Sequence, residues 1–73
     1  MNIVTDLDTV VEKRIQFFEQ TYGCMISIFT DGTLFYMSVI AKDFSWSQKD
    51  IKLCKISDPK YVLIHSIREY FVR

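Results

Sequence analysis

Seventy-three residues, 49% hydrophobic and 15% aromatic, make a chain too short for a second domain and too apolar for disorder. Nine basic residues balance nine acidic ones, which argues against a general polyanion binder. No apolar run approaches the roughly 20 residues needed to span a bilayer, and the two glycines are too few for a phosphate-cradling loop.

Residues 1–8 carry two acids and no basic stretch, unlike a secretory signal, so the expected location is cytoplasmic. The first element is a helix capped by Thr5 or Asp6, with Asp8 and Glu12 in its first turns. Leu7, Val10, Val11, Phe17 or Phe18, and Tyr22 form its apolar stripe, and Gly23 ends it.

Cys24–Thr30 and Thr33–Ala41 are β-branched and aromatic runs joined by Asp31-Gly32. That dipeptide predicts a two-residue type I′ turn, with Thr30 opposite Thr33, Ile28 opposite Phe35 and Ile26 opposite Met37. One face of the ribbon, Cys24, Ile26, Ile28, Phe35, Met37 and Val39, is wholly apolar and must be core. The other carries Met25, Ser27, Phe29, Leu34, Tyr36, Ser38 and Ile40, more apolar than a wet sheet face should be.

Lys42 to Asp50 reads as a polar connector containing Phe44 and Trp46. In 51–56, Ile51 and Leu53 alternate with lysines as in an edge strand; a short helix from Ser47 is the alternative. Ser57-Asp58-Pro59 then starts a helix running to near Phe71, with Leu63, Ile64, Ile67, Tyr70 and Phe71 as its buried stripe. The expected fold is α+β, one domain over 1–73: a helix, a hairpin extended to a three-stranded antiparallel sheet, and a C-terminal helix (α-β-β-β-α), both helices on one sheet face. Double-stranded-RNA-binding domains share this order, but the second helix here offers only Lys60, Arg68 and Arg73 as cations. The likeness ends at topology, and no family is assigned.

No group of residues suggests catalysis. His65 is the single histidine, with no second one to share a metal. Cys24 and Cys54 are too few for a disulfide scaffold or zinc knuckle and read as reduced, buried hydrophobes; a cross-strand disulfide is the alternative. The carboxylates read as caps, turn residues and solvent-facing groups, Glu12 and Glu19 among the last. No enzyme activity, metal or cofactor is therefore expected.

The second apolar face points to a protein-interaction module burying Phe29, Leu34, Tyr36 and Trp46. Such a module is a homodimer or a small inhibitor, of the kind phages and mobile elements encode, that docks on a larger host protein. The alternative is a nucleic-acid-binding module using Lys42, Lys49, Lys52 and Lys55, with Trp46 for stacking.

Overall fold

The computed structural model describes residues 1–72. In chain order the elements are β1 (Asn2–Ile3), α1 (Thr9–Tyr22), β2 (Cys24–Thr30), β3 (Leu34–Ala41), β4 (Ser47–Lys55) and α2 (Lys60–Phe71). The strands form one antiparallel sheet in the order β1-β2-β3-β4. The α+β class and the single layer of helices agree with the sequence reading. The sheet has four strands rather than three, because the two-residue β1 adds to the free edge of β2.

Helix α1 starts later than expected. Asp8, not Thr5 or Asp6, is its cap, and its carboxylate accepts from the Val10 N–H at 2.8 Å. The buried stripe is Val11, Ile15 and Phe18, spaced i, i+4, i+7, while Val10, Phe17 and Tyr22 are exposed. Two adjacent apolar pairs, Val10-Val11 and Phe17-Phe18, leave the phase open to sequence reasoning, and Ile15 decides it. Gly23 ends the helix in the left-handed conformation at φ 63°, as expected.

Helix α2 also departs in its cap. Pro59 occupies the cap position itself, and no side chain bonds the first turn. The Asp58 carboxylate accepts from the Lys55 N–H at 3.0 Å instead, so it closes the turn after β4. Leu63 and Ile67 are fully buried, with Ile64, Tyr70 and Phe71 packed around them.

The β2–β3 register is offset by two residues from the expected one: Thr30 lies opposite Phe35, Phe29 opposite Tyr36, and Ile28 opposite Met37. Side chains at the turn account for this. Asp31 Oδ1 accepts from both the Thr33 and Leu34 N–H groups at 2.9 Å. Thr30 Oγ1 accepts from Gly32 N–H at 3.0 Å and donates to Leu34 O at 2.9 Å. These bonds hold a longer loop than the tight I′ turn. An even shift keeps every side chain on its own face, so the assignment of the two faces survives.

Strand β4 is a strand, as favoured, but it begins at Ser47, so the connector shrinks to residues 42–46. Its register with β3 shifts twice, between Leu34 and Tyr36 and between Met37 and Val39. The core lies between the sheet and both helices: Val11, Ile15, Phe18, Cys24, Ile28, Met37, Val39, Cys54, Leu63 and Ile67. Cys24 and Cys54 are free and buried, on strands separated by β3. The accessible surface is 4855 Å², close to the roughly 4,700 Å² that chain mass alone implies.

Candidate functional site

Side-chain alternation sets the site. On β3 the odd residues from Phe35 to Ala41 turn to the helices, so Leu34, Tyr36, Ser38 and Ile40 point to the opposite side. On β2, Met25, Ser27 and Phe29 share that side. Neither helix lies there, since the buried stripes of both meet the other face. Phe29, Leu34 and Tyr36 are half-buried, and Met25 is 41% exposed.

The register draws one line across all four strands. Ile3 is opposite Phe29, Phe29 opposite Tyr36, and Tyr36 opposite Lys52. Such directly opposed residues are the contacts that stabilise a sheet face. A shallow depression beside this line is lined by Ser27, Phe29, Ser38, Ile40, Lys49 and Asp50. The Tyr36 hydroxyl donates to Asp31 Oδ2 at 3.1 Å, which pins the ring over the sheet. That bond, with the neighbouring charges of Asp31 and Asp50, pushes the Tyr36 pKa up.

Asp31 is held below the ordinary carboxyl value of 3.8, first by the Leu34 and Thr33 N–H groups and then by the Tyr36 hydroxyl. Because the folded pKa is depressed, these bonds stabilise the fold fully above the unfolded carboxyl value, and the gain is lost as pH falls through the folded one. The unfolding midpoint should be insensitive to Asp31 above about pH 4 and fall below it. Urea melts between pH 2 and 7 on the wild type and Asp31→Asn check this. The variant should decline less steeply in acid, and parallel curves would show that Asp31 is not coupled to folding.

Of the nucleic-acid candidates, Lys49, Lys52 and Lys55 come together. Lys52 is opposite Tyr36, Lys55 is opposite Leu34, and Lys49 borders the depression. Lys42 does not join them: its N–H bonds to Gly23 O, in the loop at the C-terminal end of α1. Trp46 also stands apart. Its carbonyl accepts from the Ala41 N–H, which carries the register on to a residue on the helix side. Trp46, 44% exposed, thus marks the end of the sheet, beside Phe44 at 75%.

The catalytic candidates stay dispersed. His65 is exposed on α2, with Nε2 2.9 Å from Glu69 Oε1. Burial raises the thiol pKa of both Cys24 and Cys54. Among the described residues there is no group of three His, Cys, Asp or Glu side chains placed to hold a metal, and no helix long and apolar enough to cross a membrane.

Glu19 is a residue the sequence reading misjudged. It is half-buried rather than solvent-facing, and its carboxylate accepts from the Ile26 N–H at 2.8 Å. Strand β1 pairs with Phe29 and Thr30, the Val4 N–H that follows bonds Ile28 O at 2.8 Å, and Glu19 caps the outer edge of β2 beyond them.

No known protein family matches the chain, and no curated protein or solved structure is significantly similar to it.

Proposed function

We propose that this chain is a non-enzymatic, cytoplasmic interaction module that docks onto a larger protein through the open face of its sheet, in the manner of a small inhibitor. The observation that supports this is the line Ile3–Phe29–Tyr36, flanked by Leu34 and Ile40, on a face that neither helix covers. Contiguous exposed apolar area is unfavourable in water unless a partner removes it. Fully burying an exposed side chain of this size contributes about 1.5–3 kcal/mol. Phe29, Leu34 and Tyr36 are already half-buried and contribute only the remaining part of that, so the binding expected of this face is weak after the cost of association. Trp46, at the end of the sheet, is not one of these anchors.

A photo-reactive amino acid placed at Phe29 and, as a control, at Arg68 on α2 tests the reading in the source cell. Position 29 should yield a discrete cross-linked product with a larger protein, and position 68 none. Equal products at both positions, or none at position 29, would sink it. If the product at position 29 is a dimer of this chain, the face serves self-association instead.

One observation favours a second reading, nucleic-acid binding: Lys52 lies directly beside the Phe29–Tyr36 pair, and single-strand binders combine stacking rings with cations. Absence of affinity for oligonucleotides at low salt removes it.

A further inference from the structure

Lysines at 49, 52 and 55 are three residues apart, and in a regular strand such a spacing alternates between faces. Here the two register shifts undo the alternation. Lys49 and Asp50 together span the level of Ser38, between the pairs Val39–Gln48 and Met37–Ile51. Leu53 and Cys54 together span the level of Phe35, between Tyr36–Lys52 and Leu34–Lys55. Each is a bulge with two residues opposing one, a device that re-aims side chains. At the first, Asp50 adopts a left-handed backbone, φ 57°, a conformation uncommon outside glycine.

The outcome is a row of three cations at the levels of Ser38, Tyr36 and Leu34, on the side of the sheet that carries Phe29 and Tyr36. Two strand steps separate consecutive levels, about 6.8 Å. None of the three lysines forms an ion pair among the described residues. The open face is therefore apolar over β1 to β3 and basic along β4.

We infer that the partner presents to this face an amphipathic α-helix with one acidic flank. This rests on the docking reading above and names the chemistry of its occupant. A face of side chains offers no backbone partners, so an occupant must satisfy its own N–H and C=O groups, as a helix does and a lone strand does not. Carboxylates four residues apart on a helix rise by about 6 Å, matching the lysine spacing over three levels. The apolar stripe of the helix then lies on Phe29, Tyr36 and Ile40. A second copy of this chain presenting the same sheet face brings lysines and no row of acids to meet them. A single-stranded nucleic acid also carries anions that the lysines attract, and the oligonucleotide comparison below separates it from the acidic helix.

The test uses a labelled synthetic peptide of about 18 residues, about five helical turns, with a leucine stripe and a glutamate flank. A peptide with lysine in place of glutamate and a single-stranded oligothymidylate serve as comparisons. Anisotropy titrations are run on the wild type, on Tyr36→Ser and on the combined Lys49→Gln, Lys52→Gln, Lys55→Gln variant, each first shown to be folded by circular dichroism. The glutamate peptide should bind the wild type, with at least about tenfold loss in both variants and weakening with salt. The lysine peptide and the oligonucleotide should not bind. No binding of the glutamate peptide, or tighter binding of the oligonucleotide, overturns the inference. Loss in Tyr36→Ser with none in the lysine variant leaves the docking face standing and removes the acidic helix. Loss in the lysine variant alone removes the docking face, and the inference with it.

Discussion

Replacing Phe18 by alanine should lower the stability of the fold by about 3–5 kcal/mol. Phe18 is 2% exposed and lies where the two helices meet. Its ring stacks on Phe71 at 5.6 Å and on Tyr22 at 6.5 Å, while Tyr22 stacks on Phe71 at 4.7 Å. The Arg14 guanidinium sits 5.3 Å from the Phe18 ring centre. Truncating a buried phenylalanine costs about 3–5 kcal/mol, from lost transfer energy and the cavity left behind. A chain of this length has a total stability of roughly 4–11 kcal/mol. The expected loss is therefore about a quarter or more of what holds the fold. Urea melts followed by circular dichroism measure it, and a loss under about 1 kcal/mol would mean that the helices are not joined through this ring.

Two adjacent substitutions should have opposite consequences. Phe35 turns to the helix side and packs against the core, and Phe35→Ser should cost about 2–4 kcal/mol by removing that packing and burying a hydroxyl. Tyr36→Ser, one residue on, removes a ring from the open face and should leave the unfolding midpoint near that of the wild type. Its effect should instead appear in binding. Thermal melts of the two variants side by side decide the matter, since similar losses would show that the chain treats both faces of β3 as core.

The faces of β3 were legible because alternation in a strand depends only on the parity of each residue. Parity alone separates Phe35, Met37 and Val39 from Leu34, Tyr36 and Ile40. The register was not legible: the shorter loop suggested by Asp31-Gly32 loses to the bonds that Asp31 and Thr30 make with the turn. Strand β1, at two residues, is too short to show a period. The apolar members of the site were found by the same parity argument. The lysines were noted as a composition, but their alignment was hidden, because a spacing of three shares a strand face only where bulges intervene. The role of Glu19 was hidden for a related reason, since it answers an N–H exposed only because β1 stops short.

The burial of Cys24 and Cys54 has its own consequence. Each thiol is shielded within the core, one on either side of β3, and burial pushes each thiol pKa up, away from the reactive thiolate. A thiol reagent can then reach either sulfur only when its margin of the sheet opens. The two cysteines are thus built-in reporters of local breathing on either side of β3.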